Sequence, residues 1–497
     1  TDKDASSAFL KYADFSHYAD YFNHMEDENI VQAIPNAKAS EWMEENIPLF
    51  ECPQHNFEEM YYYRWWSLRK HIKETPVGYG MTEFLVQRSY SDKYNLIACA
   101  IGHHIYESRW LRDPKYLDQI IHTWYRGNDG GPMKKMDKFS SWNADAVLAR
   151  YMVDGDKDYL LDMKKDLETE YQRWERTNRL KNGLYWQGDV QDGMEESISG
   201  GRRKKYARPT INSYMYGNAK ALSCIGILSG DEGMAMKYGM RADTLKNLVE
   251  NELWNTRHQF FETMRTDSSA NVREAIGYIP WYFNLPDTTQ KYEIAWKEIM
   301  DEKGFSAPYG LTTAERRHPE FRTRGVGKCE WDGAIWPFAS AQTLTAMANF
   351  MNNYPQTVLS DSVYFRQMEL YVESQYHRGR PYIGEYLDEV TGYWLKGDQE
   401  RSRYYNHSTF NDLIITGLIG LRPRLDNTIE VNPLIPADKW DWFCLDNVLY
   451  HGHNLTILWD KNGDRYHCGK GLRIFVDGKE VGQADTLTKI VCENALK

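Results

Sequence analysis

The sequence predicts a mainly α-helical protein whose helical hairpins close into one ring, followed by a small β-rich region. Three observations predict this fold class. From about residue 30 to residue 420, apolar residues recur near the 3.6-residue helical period, in segments interrupted by Gly, Pro and Asp. Strands and helices do not alternate along the chain, which argues against a TIM barrel or a doubly wound sheet. From about residue 421 the apolar pattern changes to strict alternation.

The helical hairpins are clearest between residues 92 and 254. The stretch DKYNLIACAIGHHIYESRWLRDPKYLDQIIHTWYRG has a helical apolar pattern on both sides of RDP, which ends one helix and begins the next. The same plan returns with VDGD at 153–156 and SGD at 229–231 as connections. Later helices are predicted in YEIAWKEIMDE, WPFASAQTLTAMANFMNNY, SVYFRQMELYVESQYH and STFNDLIITGLIGL. A dozen helices of ~11–12 residues with their connections fill roughly 350 residues, enough for one closed ring.

The C-terminal region carries strand signals. NLTILWD and LRIFVDGKEVG alternate apolar and polar residues, and Asp-Gly within the second is a hairpin signal. We therefore predict an N-terminal extension at 1–29, a helical unit at 30–420 and a β-rich appendage at 421–497, to which residues near the N-terminus add.

Composition excludes several classes of function. The net charge of -11 disfavours nucleic acid as a partner, because phosphate binding needs a positive surface. No run of about 18 apolar residues is present, so membrane insertion is not expected. Seven cysteines without any C-x-x-C spacing predict packed thiols, and we expect neither a metal nor a cofactor. The sequence indicates no oligomeric state.

The chain begins at Thr1 without a methionine, which fits the removal of a leader or a tag. On that basis we expect a secreted or periplasmic protein.

Three predicted inter-helical loops combine carboxylates with aromatic residues. The first, GLYWQGDVQDGMEESISGG, contains Trp186, Asp189, Asp192, Glu195 and Glu196. Any one of these acids is explained by capping of the next helix. As a group beside a tryptophan and between glycines, these acids indicate a functional site.

The other two loops follow later in the chain. GRPYIGEYLDEVTGYWLKGDQERSRYYNHSTFNDL contains Glu385, and GVGKCEWDGAIWPFASAQ contains Trp331, Asp332 and Trp336. For Asp332, helix capping competes with substrate binding. Two acidic loops on the same kind of connection suit a glycosidase, in which one protonated acid and one ionised base act across a glycosidic bond. The aromatic content of 14% also suits sugar rings, which stack on flat apolar faces.

At these loops the chain resembles a known family. GMEESI is similar to the segment that carries the general acid in trehalase, processing α-glucosidase I and mannosylglycerate hydrolase, and EYLDEVTG is similar to the segment with their general base. These enzymes are six-hairpin (α/α)6-toroid glycoside hydrolases, and the likeness covers roughly residues 30–420. The resemblance implies a carbohydrate substrate and an exo-acting, inverting hydrolysis of a terminal sugar.

Carried over by position, the resemblance implies that Glu195 is the acid and Glu385 the base. The family's acid is usually Asp, so Asp192 and Glu196 remain alternatives to Glu195. We expect the remaining substrate-binding residues to be Trp186, Trp331, Asp332, Trp336, Tyr278, Trp281, Glu196 and His407.

Two other functions remain open from sequence. A polysaccharide lyase would use a Tyr, His and Arg cluster, for which Tyr206, His407 and Arg202 are the candidates. A non-catalytic glycan-binding protein would keep the cleft without turnover. The basic run RRKK at 202–205 is either a solvated loop or a contact for an acidic glycan.

Overall fold

The computed structural model describes residues 9–497 and is mainly α-helical, with a β-rich C-terminal region. The α-helices are α1 (Ser16–Asn23), α2 (Ala39–Asn46), α3 (His55–Lys70), α4 (Ile101–Ser108), α5 (Lys115–Arg126), α6 (Asn143–Asp154), α7 (Lys157–Asp162), α8 (Lys164–Asn178), α9 (Pro209–Ser229), α10 (Glu232–Leu248), α11 (Ile279–Tyr282), α12 (Gln290–Glu293), α13 (Pro337–Asn353) and α14 (Asp361–Ser374). A π-helical segment, Val249–Leu253, extends α10, and a second one covers Leu413–Leu418.

Most strands are short and form two-stranded hairpins between helices. They are β1 (Leu49–Glu51), β2 (Ile72–Thr75), β3 (Gly78–Met81), β4 (Trp186–Gln187), β5 (Tyr206–Ala207), β6 (Trp254–Asn255), β7 (Phe260–Phe261), β8 (Ser306–Ala307), β9 (Gly310–Leu311), β10 (Tyr376–His377), β11 (Arg380–Pro381), β12 (Ile429–Val431), β13 (Trp442–Tyr450), β14 (His453–Asp460), β15 (Gly471–Val476), β16 (Lys479–Ala484) and β17 (Ile490–Cys492). The largest sheet is antiparallel and has the order β1-β13-β14-β15-β16.

The predicted helix connections are confirmed where glycine and aspartate mark them. Helices α6 and α9 both end at a left-handed glycine, Gly155 and Gly230. Only glycine adopts this conformation without a steric cost, so the chain can reverse there. The next helix then begins with an aspartate cap, because Asp156 accepts a hydrogen bond from the Tyr159 amide and Asp231 accepts one from the Met234 amide.

One predicted helix is much shorter than expected. YEIAWKEIMDE forms the four-residue α12 and a 3-10 segment, Ile294–Ile299. Its Trp296 is fully buried and stacks on Tyr278, so tertiary packing decides the local conformation here.

The β-rich region contains the predicted hairpin. β15 and β16 are joined at Asp477 and Gly478, which both have positive φ, as the tight turn of a two-residue hairpin requires. The N-terminal part of the chain adds to this sheet: β1 pairs with β13, and the Leu10 amide donates a hydrogen bond to the Asp446 carboxylate.

The connections that precede α4, α9, α13 and the π-helical segment 413–418 meet at one end of the helices. Ile335 and Leu387 form a β-bridge, and the Tyr386 hydroxyl donates to the Lys328 carbonyl. Arg324 Nη1 donates to the Ile198 carbonyl, 2.9 Å away. These contacts bring the three acidic loops of the sequence together.

Within residues 9–497, no helix is both long enough and apolar enough to span a membrane. In the same described part of the chain, no group of three or more His, Cys, Asp and Glu side chains is arranged to hold a metal ion. All seven cysteines are free thiols.

Candidate active site

The proposed acid lies on a tightly turned loop. The loop connects β4 to β5 and contains a 3-10 turn, Val190–Asp192. Gly193 and Glu196 both have positive φ, so the backbone bends sharply on each side of Glu195. A left-handed glutamate is strained, and such strain is held where the surroundings fix the loop. Glu195 is thereby presented at the tip of the turn.

Asp192 fixes this loop and does not face the site, which corrects its assignment as an alternative acid. Its carboxylate accepts hydrogen bonds from Ser140 Oγ, from Thr210 Oγ1 (2.6 Å) and from Arg208 Nε (2.7 Å). Both side chains of the Asp192–Arg208 ion pair are fully buried. Both carboxylate oxygens accept hydrogen bonds from buried partners, so neither is available to a departing oxygen. Asp192 instead ties the acid loop to the start of α9.

The proposed base lies on the segment that follows β11. Glu385 is 5% exposed, and its Oε2 atom has no hydrogen-bond partner among residues 9–497. The nearest cation is Arg401, whose Nη1 atom lies 3.6 Å from Oε2. The bridge between Leu387 and Ile335 holds this segment against the loop that precedes α13. A buried carboxylate with a free oxygen is suited to binding water.

Glu195 and Glu385 lie within electrostatic reach of each other. Burial, together with the charges of Glu195 and Glu385, raises the pKa of the Cys329 thiol to about 12, so both carboxylates lie near this one residue. Burial, and then the charge of Glu385, raises the pKa of Glu195 to about 7. The two sequence-predicted loops therefore lie close to each other.

The surroundings of the two carboxyl groups differ in charge. Burial raises the pKa of Glu385, and three cations oppose that rise: Lys396, Arg401 and Arg88. The pKa of Glu195 is raised more, and Arg202 is the cation that opposes this rise. This asymmetry makes Glu195 the more readily protonated of the two carboxyl groups and Glu385 the better stabilised anion.

Aromatic rings form one wall beside Glu385. The ring centroids of Trp331 and Trp336 are 4.6 Å apart, and those of Trp336 and Tyr386 are 4.5 Å apart, all nearly parallel. His407 packs 6.1 Å from Trp336, and its Nε2 atom has no hydrogen-bond partner in the described chain. Burial holds the pKa of His407 well below its usual range, so this ring is neutral.

Two further predicted residues lie at the outer part of the acid loop. Trp186 belongs to β4 and carries the Lys205 ammonium 5.0 Å from its ring centroid. Glu196 points toward Lys328, with 3.9 Å between Oε1 and Nζ. Both side chains are partly exposed, which leaves them accessible to a substrate.

Tyr278 and Trp281 are core residues, which corrects their assignment to the sugar pocket. The Tyr278 hydroxyl donates to the Ala295 carbonyl, and its ring stacks on Trp296 with centroids 4.2 Å apart. Trp281 packs against Trp296 and Phe350 and is 1% exposed. The aromatic run GYIPWYFNLP turns its rings inward because the short helix α11 is packed on α13.

Asp332 is likewise a structural residue, which corrects its assignment to substrate binding. The residue is fully buried, and its Oδ2 atom accepts hydrogen bonds from the amides of Arg324 (2.6 Å) and Gly325 (3.0 Å). It shapes the loop ahead of Trp331.

The site also contains residues that the sequence patterns did not reveal. Glu83 follows β3 and accepts hydrogen bonds from Cys99 Sγ and Tyr405 Oη, each 3.0 Å away. Arg88 lies between the rings of Phe84 and Tyr90. Glu83 stands alone in MTEFLV, so no cluster of acids marked it.

The fold and this site define a class of protein, a glycoside hydrolase of the mannosylglycerate hydrolase type. Residues 93–408 match the family model of the mannosylglycerate hydrolase MGH1-like glycoside hydrolase domain. The match covers more than half of the chain, so the chain belongs to this family. Residues 421–482 match the C-terminal domain of glycosyl hydrolase family 65.

One solved structure is nearly identical to this chain in sequence, and others share little sequence identity with it. A chain named "Sialidase" is 95% identical, with a TM-score of 0.99 over 100% of this chain and 46% of that chain. The present chain therefore spans less than half of that protein.

More distant structures share the fold alone. The GH63 mannosylglycerate hydrolase from Thermus thermophilus in complex with glucose is 12% identical, with a TM-score of 0.54 over 72% of this chain and 99% of that one. A GH78 family rhamnosidase of Bacillus sp. GL1 is 10% identical, with a TM-score of 0.59 over 86% and 41%.

Proposed function

We propose that this chain hydrolyses an O-glycosidic bond with inversion at the anomeric carbon. Glu195 protonates the departing oxygen, and Glu385 deprotonates the water that attacks the opposite face of the sugar. The observation that carries this proposal is the convergence of a partly buried Glu195 and a buried Glu385, of which only Glu385 has three cations acting on it. Trp331, Trp336 and Tyr386 are each at most 3% exposed and would support Glu385 from behind. His407 Nε2 would bind a hydroxyl.

We propose that the helices between residues 30 and 420 close into an (α/α)6 toroid with the site at one end. The meeting of the loops ahead of α4, α9 and α13 supports this arrangement, as does the shared fold with the GH63 hydrolase. Exo action on a terminal sugar is proposed because the GH63 relative is named as a hydrolase of mannosylglycerate, a small glycoside. Residues 421–497 then form an appendage to which β1 contributes.

We further propose that the substrate carries a carboxylate close to the bond that is cleaved. Arg88 acts electrostatically on Glu385, and its Nε atom is buried without a hydrogen-bond partner in the described chain. Lys396 also acts on Glu385, and its Nζ atom lies 5.3 Å from the Tyr386 ring centroid. A partly buried guanidinium whose Nε donor has no partner in the described chain is suited to binding a carboxylate.

The experiment is a comparison of paired glycosides. Neutral aryl glycosides are assayed beside the corresponding uronides and a sialoside, with wild-type protein and with Arg88→Gln. We expect faster hydrolysis of a carboxylate-bearing substrate. For that substrate, Arg88→Gln should lower kcat/KM about 10-fold or more, the effect of losing a charged hydrogen bond worth about 1.5–3 kcal/mol.

The matched control is Arg366→Gln, because Arg366 lies on the exposed face of α14. It should leave all rates unchanged. An equal loss on neutral and anionic substrates with Arg88→Gln would contradict carboxylate recognition while leaving the hydrolase proposal intact. The sialoside tests whether the activity for which the longer relative is named extends to this part of the chain.

A further inference from the structure

Glu83 lies between the two loops that carry Glu195 and Glu385. Its side chain is buried, with 4% of the residue exposed. Its backbone is fixed as well, because the Asn406 amide donates to the Glu83 carbonyl (2.9 Å) and Asn406 Nδ2 donates to the Thr82 carbonyl (3.0 Å). Glu83 is therefore attached to the segment that immediately precedes His407.

Each carboxyl oxygen of Glu83 holds a side chain that contacts a different catalytic loop. Oε2 accepts from the Tyr405 hydroxyl, and the Tyr405 amide donates to the carbonyl of Ile383, two residues before the base. Oε1 accepts from the Cys99 thiol. A Cβ atom placed on Gly193, two residues before the acid, would lie 3.4 Å from the Cβ of Cys99. The acid loop therefore rests on Cys99.

We propose that Glu83 is a positioning residue that fixes the separation of Glu195 and Glu385 through Cys99 and Tyr405. The inference rests on the proposed function, since it assumes that these two glutamates are the acid and the base. A single carboxyl group that binds both supports couples the two loops: the base loop is joined to Tyr405 by a hydrogen bond, and the acid loop packs on Cys99.

Electrostatics give Glu83 a second effect on the site. Burial, and then the charges of Glu385 and Glu195, raises the pKa of Glu83 to about 8. At neutral pH its carboxyl group therefore holds a proton, and in that form the hydrogen bond between Glu83 Oε2 and Tyr405 Oη reverses, so that Glu83 donates and Tyr405 accepts. The Tyr405 hydroxyl is then free to donate elsewhere in the site. A neutral Glu83 also keeps a third negative charge away from Glu385 and Glu195.

The kinetic test uses Glu83→Leu, which keeps a side chain of similar size and removes both hydrogen bonds. We expect kcat to fall by about 10²-fold, the loss that follows from misplacing catalytic groups by about 1 Å, while KM changes little. Glu83→Gln has one acceptor and a donor, as the protonated carboxyl group does, so it should retain most of the wild-type kcat. Glu83→Leu and Tyr405→Phe should be strongly non-additive in a double-mutant cycle, because both variants break the same link.

The matched control is Glu170→Leu. Glu170 is a partly buried glutamate whose pKa is raised to about 7 by desolvation, and its partner is Asn143, on α6. This variant should retain the wild-type kcat. A wild-type kcat in Glu83→Leu, or additive effects with Tyr405→Phe, would overturn the positioning role.

A crystallographic readout separates this inference from the proposed function. In Glu83→Ala, we expect the loops at 192–197 and 383–407 to move apart relative to the wild-type protein, whether or not a substrate has been found. Unchanged loops would refute the positioning role even for an active hydrolase. If the loops move in a protein that hydrolyses no glycoside, the positioning role stands and the proposed function fails.

Discussion

Replacing Glu195 by Gln is expected to lower kcat by about 10²–10⁴-fold, the contribution usual for a general acid or base. The glutamine amide fits the same space but has no proton to give to the departing oxygen. Glu385→Gln should cause a loss of similar size, because water must then attack without a base. Initial rates on an activated and an unactivated aryl glycoside measure both effects. An activated leaving group needs less protonation, so it should rescue Glu195→Gln and not Glu385→Gln.

The pH profile of kcat/KM tests the same assignment. The acid must be protonated, and burial beside Glu385 raises the pKa of Glu195 to about 7, so activity should fall above about pH 7. The base must be ionised, and burial raises the pKa of Glu385, so the acidic limb should lie above the pH at which an exposed glutamate titrates. Glu195→Gln should lose the alkaline limb only. Wild-type kinetics in either glutamine variant would contradict the hydrolase mechanism.

The second large effect is expected for Asp192→Asn, and it concerns the stability of the protein and not proton transfer. Asp192→Asn leaves the Arg208 guanidinium as a fully buried charge without its ion-pair partner. Breaking one member of such a pair costs about 3–5 kcal/mol. The free energy of unfolding, measured with urea, should fall by that amount. Asp158→Asn on the exposed side of α7 serves as the control and should change stability by less than about 0.5 kcal/mol.

A double variant tests the cause of this loss. Asp192→Asn combined with Arg208→Gln removes both buried charges. The double variant should therefore lose less free energy of unfolding than the two single variants lose when their losses are added. Additive losses would show that Asp192 and Arg208 stabilise the protein independently. In contrast, Glu195→Gln should not lower stability near pH 8, because it removes a carboxylate that folding desolvates.

The general plan of the fold was readable from sequence because local signals agreed with tertiary structure. Gly155 and Gly230 end helices by adopting a conformation that other residues avoid, and the aspartates that follow cap the next helix. The same agreement holds for Asp477-Gly478 in the C-terminal hairpin. Where packing overrides propensity, as around Trp296, the prediction was wrong.

The site was only partly predictable, because contacts between residues far apart in the sequence decide the role of each side chain. Clustered acids marked the loops of Glu195 and Glu385, but a cluster does not reveal which member is neutralised. The partner of Asp192 is Arg208, 16 positions away, and only folding brings them together. The rings of Tyr278 and Trp281 face the core, which an aromatic run does not indicate. Glu83 joins the site through contacts with Cys99 and Tyr405, the latter more than 300 positions away.

The central claim is that Glu195 and Glu385 act from opposite faces of the sugar with one water between them. The most direct test is to follow hydrolysis by proton NMR and to identify the anomer that is released first. Our account predicts that the freed sugar has the anomeric configuration opposite to that of the substrate, before mutarotation mixes the two forms. Release of the same configuration would contradict it, because retention requires a covalent intermediate that this pair of residues is not proposed to form.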